Sequence, residues 1–138
     1  MKKRIEYEQK TSLNSDWVRE QIAHFMEEDI PNGDTTTEAI ITASTPVIAQ
    51  INSGDEFVFC GSSIVPFCFP DSCTIEVNIK DGEQVTSGAT LASIKGPAGP
   101  ILTYERVTLN LIQRLCGIST ETKKYCDLNL PDNFKVMD

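Results

Sequence analysis

Residues 75–97 read IEVNIKDGEQVTSGATLASIKGP, and the fold follows from the pattern of this stretch. Between Ile75 and Ile79 apolar side chains alternate with polar ones, which is the period of a strand with one buried face. Asp-Gly at 81–82 and Ser-Gly at 87–88 are turn dipeptides, and apolar positions continue after each of them. The stretch therefore predicts strands joined by tight turns in a small antiparallel sheet.

Upstream of this stretch, residues 47–51 and 56–60 also have the composition of strands. Asn-Ser-Gly-Asp at 52–55 lies between them and is typical of a hairpin turn, so the two strands are predicted to pair with each other. The apolar stretch after residue 60 is interrupted by two prolines, and a short helix is predicted near Pro66.

The first long helix is predicted from Ser15, which is a good N-cap residue. Apolar residues then recur at helical spacing, and Pro31 ends the helix because Ile30 is disfavoured in the α region. The last turn carries Glu27-Glu28-Asp29, although the negative end of the helix dipole disfavours carboxylates there. We expect a group outside the helix to compensate this charge. The turn-forming residues 32–37 follow.

A second helix is predicted from Pro100, because its fixed φ suits the first helical position. Apolar residues from Val107 to Ile118 cover a wide arc, which predicts burial of much of the helix circumference. Gly117 is predicted to break or bend the helix, which then resumes over residues 120–128.

Composition excludes several classes of protein. The 138 residues carry 12 Lys+Arg against 20 Asp+Glu, so the net charge of −8 argues against a general nucleic-acid binder. No apolar run reaches the roughly 18 residues of a membrane span, and no secretion signal is recognisable at the start. The five cysteines form no C-x-x-C pair, which disfavours zinc and predicts reduced thiols that fill apolar space. A cytoplasmic protein without a membrane or nucleic-acid partner is expected.

Few residues suggest chemistry. Neither G-x-G-x-x-G nor G-x-x-x-x-G-K-[ST] occurs, and the single His24 is interpreted as structural or solvated. Glu27, Glu28, Asp29 and Asp34 could supply oxygen ligands to a cation, although a solvated helix end is the preferred interpretation. Arg106 is the sharper candidate. Near the start of a helix predicted to be buried, its guanidinium needs either a carboxylate partner within the protein or an anionic ligand.

Three segments resemble quinolinate phosphoribosyltransferases, also called carboxylating nicotinate-nucleotide pyrophosphorylases. Residues 28–37, EDIPNGDTTT, resemble the family's E-D-x-x-x-G-D-x-T-T signature. Residues 81–98, DGEQVTSGATLASIKGPA, resemble its D-G-x-x-V-x-x-G-x-x-L-A-x-I-x-G-P-A segment. Residues 102–122, LTYERVTLNLIQRLCGISTET, are similar to its long helix, with Cys116 where the family usually has Ser.

The resemblance implies an α+β fold: an N-terminal α/β sandwich, made of a helix and a small open-faced antiparallel sheet, followed by connecting helices that lead to an α/β barrel. We therefore expect a flexible arm at residues 1–14, the sandwich domain at 15–97, and connecting helices with the start of a barrel at 98–138. The barrel's first strand begins with D-T-R-K-T in the family, and only its Asp is matched, by Asp138.

The resemblance also implies a function. The family joins quinolinate to phosphoribosyl pyrophosphate, releases pyrophosphate and CO2, and makes nicotinate mononucleotide for NAD biosynthesis, with Mg2+ as the cofactor. Family members are homodimers in which one Arg of the E-R motif reaches the quinolinate carboxylate across the dimer interface, and by position that residue is Arg106. The metal ligands and the catalytic residues come from the barrel, so no catalytic or metal-binding residue is expected in these 138 residues. The chain alone is expected to be inactive as a transferase.

Two other functions fit parts of this sequence. A molybdenum-transport-associated paralogue of the same family is similar over the same segments. A non-enzymatic binding or dimerising module would use the apolar arc from Val107 to Ile118. A biotinyl or lipoyl carrier is disfavoured, because Lys80 precedes the turn at 81–82 and no lysine occupies a hairpin tip.

Overall fold

The computed structural model describes residues 12–40 and 44–128, and these form three α-helices, one 3-10 turn and five strands. In chain order they are α1 (Ser15–Asp29), α2 (Thr35–Ile40), β1 (Pro46–Asn52), β2 (Phe57–Val58), the 3-10 turn (Val65–Phe67), β3 (Thr74–Val77), β4 (Gln84–Val85), β5 (Thr90–Pro97) and α3 (Ala98–Cys126). This is the predicted α+β class with antiparallel sheets. Most of the predicted arm, and the linker and strand predicted beyond Leu128, lie outside the described residues.

β5 is the central strand of the larger sheet, with β1 and β3 antiparallel on either side of it. Its residues Leu91, Ala92 and Ile94 are buried, because the strand is flanked by neighbours and covered by helices. The strand predicted over residues 75–79 is confirmed as β3, although it ends at Val77.

The predicted hairpin between residues 47–51 and 56–60 is wrong. β1 pairs with β5, whereas β2 pairs with β4 in a separate two-stranded sheet. Ser53 explains the difference: its N–H donates to the carbonyl of Ala89 at 2.8 Å, and its carbonyl accepts from Gly88 N–H at 2.8 Å. The chain after β1 is thereby tied to the turn before β5 and leaves the first sheet instead of folding back along it.

The turn at residues 81–82 holds the smaller sheet in place. Gly82 is the second residue of the predicted Asp-Gly turn, and its φ of 86° is a conformation that favours glycine. The side chain of Asp81 accepts hydrogen bonds from the backbone N–H groups of Gly61 at 2.7 Å and Ser62 at 2.8 Å. The turn of 81–82 therefore anchors the loop that follows β2. The 3-10 turn stands where a short helix was predicted near Pro66.

The N-cap of α1 lies one residue earlier than predicted, so that Ser15 is already the first residue of the helix. Asn14, and not Ser15, is the N-cap, because its Oδ1 accepts the N–H of Trp17 at 2.9 Å. The helix ends at Asp29 as predicted, since Ile30 leaves the helical region before Pro31. The six-residue α2 begins at Thr35, within the segment that was predicted as turn only.

α3 is one continuous helix of 29 residues, so the predicted break at Gly117 is wrong. It also begins at Ala98, two residues before Pro100. Gly117 is tolerated because both of its flanks are held: Cys116 is buried, and the Thr120 hydroxyl accepts the N–H of Val58 at 3.0 Å. None of the described helices has the length and apolar character that crossing a membrane requires.

The buried apolar side chains form two clusters. The first cluster lies where α1 and the start of α3 meet the larger sheet; its buried members are Val18, Ile22, Cys68, Phe69, Cys73, Ile94 and Ile101. The second cluster lies where the middle of α3 meets the smaller sheet; its buried members are Phe59, Val65, Val85, Leu91, Ala92, Ile112 and Cys116. α3 contributes to both clusters, but the buried stripe is narrower than predicted, because Ile118 is 51 % exposed.

Candidate functional site

Three parts of the chain meet at one polar surface: the end of α1, the connection into α2 and the first turns of α3. They line a shallow pocket formed by Asp29, Ile30, Gly33, Asp34, Thr35, Leu102, Thr103 and Arg106. Four of these side chains interact with one another across the elements, and we call them the α1–α3 junction: Asp29, Asp34, Thr103 and Arg106. The fold thus brings together the segment at 28–37 and the start of the segment at 102–122.

Arg106 pairs with Asp29 through Nη1, which lies 3.3 Å from Oδ1. The Arg106 side chain is 73 % exposed, whereas that of Asp29 is 26 % exposed. The predicted burial of Arg106 is therefore wrong: Val107 and Thr108 turn into the protein, and Arg106 lies on the outer side of α3. One of the two predicted alternatives, a carboxylate partner within the protein, is therefore present, although most of the Arg106 side chain is exposed to solvent.

The negative charge at the end of α1 is compensated by a group outside the helix, as its sequence predicted. No basic residue is present in the last turn of α1, and the guanidinium that approaches it comes from α3. Glu27 and Glu28 are exposed to solvent. Arg106 thus neutralises the one carboxylate of this run that points toward the rest of the fold.

Asp34 joins α2 to α3. Its Oδ1 accepts the Thr37 N–H at 3.0 Å, which caps α2, and its Oδ2 accepts the hydroxyl groups of Thr37 and, at 3.2 Å, Thr103. These bonds lower the pKa of the Asp34 carboxyl below its ordinary 3.8; the Thr37 side chain has the largest effect, and the positive charge of Arg106 adds to it. The cap was visible in the sequence as Asp followed three residues later by Thr, but the link to Thr103 was not predicted.

The acidic residues near the junction do not form a metal centre. In the part of the chain that the structure describes, no three His, Cys, Asp or Glu side chains come together in a way that could hold a metal ion. Asp29 is paired with Arg106, and Asp34 accepts hydrogen bonds from threonines. His24 is exposed on α1, in agreement with its solvated interpretation.

A second groove adjoins the junction between α1 and α3. It is lined by Phe25, Glu28, Asp29, Val107, Asn110, Leu111 and Arg114. Arg114 is exposed there, two turns beyond Arg106 on the same helix. The junction and this groove together carry the guanidinium groups of Arg106 and Arg114 beside the carboxylates of Glu28, Asp29 and Asp34.

The cysteines are free thiols, and three of them are packed as predicted. Cys68, Cys73 and Cys116 are buried, whereas Cys126 at the end of α3 is exposed, so the prediction that all five fill apolar space is wrong for Cys126. Burial raises the pKa of the Cys68 thiol to about 11 and also raises that of Cys116. Protonated thiols of this kind serve packing and not nucleophilic attack.

Comparison with known protein families gives a match over most of the folded region. A model described as quinolinate phosphoribosyl transferase, N-terminal domain, matches residues 34–116. A probable carboxylating nicotinate-nucleotide pyrophosphorylase of Bacillus subtilis is 33 % identical over 129 residues, which is 91 % of this chain and 44 % of that protein. A mitochondrial decarboxylating quinolinate phosphoribosyltransferase, 2b, of Nicotiana tabacum is 30 % identical over 83 % of this chain and 34 % of its own length.

Solved structures show the same relation. The nicotinate-nucleotide pyrophosphorylase from Francisella tularensis superposes with a TM-score of 0.78 and 27 % identity, covering 86 % of this chain and 43 % of that one. NadC from Streptococcus pyogenes gives a TM-score of 0.80 and 26 % identity, covering 89 % of this chain and 46 % of its own. The chain thus spans less than half the length of each of these relatives.

Proposed function

The chain belongs to the quinolinate phosphoribosyltransferase family through that family's N-terminal domain, and we propose that it forms the N-terminal part of an enzyme that joins quinolinate to phosphoribosyl pyrophosphate. The match confirms the resemblance stated from the three sequence segments. The proposed products are nicotinate mononucleotide, pyrophosphate and CO2. The relatives' names support this reaction over that of a transport-associated paralogue.

The observation that carries the proposal is the exposed Arg106 guanidinium at the α1–α3 junction. Quinolinate is a dicarboxylate, and a guanidinium can bind a carboxylate through two parallel hydrogen bonds. In this reaction positioning and charge stabilisation dominate, since an anionic pyridine must meet a developing positive charge on the sugar. Arg106 would supply part of that positioning, as a ligand of one quinolinate carboxylate.

We propose that Arg106 acts across a homodimer, reaching the quinolinate pocket of the partner subunit. Two exposed apolar side chains, Ile118 and Tyr125, lie seven residues apart on one face of α3 and support an association surface there. Size-exclusion chromatography with light scattering of the 138-residue chain is expected to give the mass of a dimer. A monomer at all concentrations would contradict this part of the proposal.

The proposed cofactor is Mg2+, bound with the phosphoribosyl pyrophosphate. Within the described residues no three His, Cys, Asp or Glu side chains are grouped so as to hold a metal ion, and the protein ligands of Mg2+ are proposed to lie outside these ranges. Free thiols at all five cysteines support a reducing compartment, and we propose that the enzyme is cytoplasmic.

A fusion enzyme tests the proposed activity. The chain is joined in frame to the part of the Bacillus subtilis relative that lies beyond the matched region, and pyrophosphate release is measured with quinolinate and phosphoribosyl pyrophosphate. We expect release that requires both substrates, whereas the 138-residue chain alone gives none. A fusion enzyme that unfolds cooperatively, and is therefore folded, but forms no nicotinate mononucleotide would contradict the proposal.

A further inference from the structure

Asp29 occupies a position that the stability of α1 does not explain. It is the last residue of the helix, where the negative end of the dipole disfavours a carboxylate, and no basic residue in that turn compensates it. Its ion pair with Arg106 is largely solvent-exposed on the arginine side, and exposed pairs contribute little to stability. A neutral residue at this position would leave α1 at least as stable. The carboxylate is therefore better explained by its ion pair with Arg106.

The contact between the two side chains is one-sided. Asp29 Oδ1 meets only Nη1, at 3.3 Å, so the opposite Nε–Nη2 edge of the guanidinium stays out of the pair. That edge makes no hydrogen bond to any residue within 12–40 and 44–128. It is also one of the two edges through which an arginine binds a carboxylate with two parallel N–H···O bonds. The pair therefore fixes one side of the guanidinium and leaves a binding edge open.

The turn of α3 that precedes Arg106 is also held in place by a side-chain contact. Thr103 lies one turn earlier on the same face of α3, and its hydroxyl donates to Asp34 Oδ2 at 3.2 Å. Asp34 is itself held by the α2 cap to Thr37. Two carboxylates, one from each end of the α1–α2 connection, thus hold the first turns of α3.

We propose that Asp29 is a positioning residue that orients Arg106, so that the Nε–Nη2 edge faces outward to receive a carboxylate of a pyridine dicarboxylate ligand. This inference rests on the proposed function for the identity of the ligand, but the orientation itself is a property of this chain. Asp29 does not touch the ligand. It acts by limiting the rotamers of Arg106, which reduces the entropy that binding must remove.

The orientation is tested on the full 138-residue chain by 15N relaxation of arginine Nε groups. For Arg106 we expect an order parameter above about 0.6, falling below about 0.6 in Asp29→Asn, with partial recovery in Asp29→Glu. Arg114 is the internal control, because it is exposed on the same helix and has no ion pair with a described residue. The midpoint of thermal unfolding is expected to stay unchanged in Asp29→Asn. An Arg106 order parameter that is equal in the wild type and in Asp29→Asn would overturn the inference.

Kinetics of the fusion enzyme give the second readout. Asp29→Asn is expected to raise the KM for quinolinate about tenfold with kcat retained. Asp29→Glu keeps the carboxylate and is expected to bring the KM most of the way back to the wild-type value. Loss of Arg106 order without any change in KM would leave Asp29 as an orienting residue and contradict the proposed role of Arg106 in binding quinolinate. A KM that rises only with a matching loss of thermal stability would contradict positioning, because a structural defect would then explain both.

Discussion

The first turns of α3 and its middle differ in their surroundings. Its first turns form the α1–α3 junction, where charged and hydroxyl side chains meet at the surface and Arg106 faces solvent. Its middle forms the second apolar cluster, where Ile112 and Cys116 are buried against Phe59 and the smaller sheet. One helix therefore serves two purposes. Burial in the cluster stabilises the fold, and the exposed junction is proposed to orient the Arg106 side chain for a ligand.

The energies of the two regions differ accordingly. Burying an aromatic or aliphatic side chain contributes about 1.5–3 kcal/mol, whereas an exposed ion pair contributes about 0–1 kcal/mol. We therefore expect substitutions in the cluster to change stability, and substitutions at the junction to change ligand binding at nearly constant stability. Variants in each region test that division.

Phe59→Ala is expected to have the largest effect on stability. Phe59 is fully buried in the second cluster, and truncating such a side chain costs about 3–5 kcal/mol through lost burial and the cavity left behind. Urea unfolding measures the change. Phe25→Ala is the matched control and should cost much less, since Phe25 is 39 % exposed. Similar losses of unfolding free energy in both variants would contradict the expectation that burial in the second cluster determines stability.

Gly96→Ala tests packing beneath β5. A Cβ at this position would lie 2.7 Å from Cys73 Sγ and 3.1 Å from Cys73 Cα, too close for either atom. We expect a loss of about 1–3 kcal/mol of unfolding free energy. Adding Cys73→Ala should recover only part of the loss, because the backbone contact remains. Gly54→Ala is the control and should be tolerated, since its Cβ would meet no atom within 4 Å.

The Asp34 carboxylate predicts a pH dependence at the junction. Its pKa is lowered below the ordinary 3.8 in the folded protein by Thr37 and Thr103 and by the charge of Arg106. A lowered folded-state pKa adds stability that is present above the ordinary value and is lost as the pH falls through the folded pKa. Asp34→Asn keeps a cap residue without that charge. We expect the wild type to exceed Asp34→Asn in unfolding free energy at neutral pH, and the difference to shrink as the pH falls through the folded-state pKa of Asp34. A difference that grows on acidification would contradict the assignment.

The features that were predictable from the sequence are local. Alternation at 75–79 and the Asp-Gly dipeptide at 81–82 place a strand and a turn, because both depend on residues close together in the chain. The pairing of β1 was not predictable in this way, since its partner β5 lies far ahead in the chain and is selected by the Ser53 contacts. Gly117 was misread because helix propensity is overridden when tertiary contacts hold both flanks.

The candidate site divides in the same manner. Residue chemistry singled out Arg106 and the resemblance gave it a role, but helical periodicity could not tell which part of the apolar arc is covered, so the burial of Arg106 was predicted wrongly. The unfavourable charge at the end of α1 did indicate a compensating group, and Arg106 is that group. The bond between Thr103 and Asp34 joins residues 69 positions apart and leaves no trace in local sequence.

The KM for quinolinate of the fusion enzyme carrying Arg106→Ala is the decisive measurement for the role of the junction. A charge-assisted hydrogen bond contributes about 1.5–3 kcal/mol, so we expect a KM raised roughly tenfold to a hundredfold. The same substitution in the 138-residue chain should change the unfolding free energy by less than about 1 kcal/mol. An unchanged KM in a folded and active fusion enzyme would contradict the proposal that Arg106 binds the substrate.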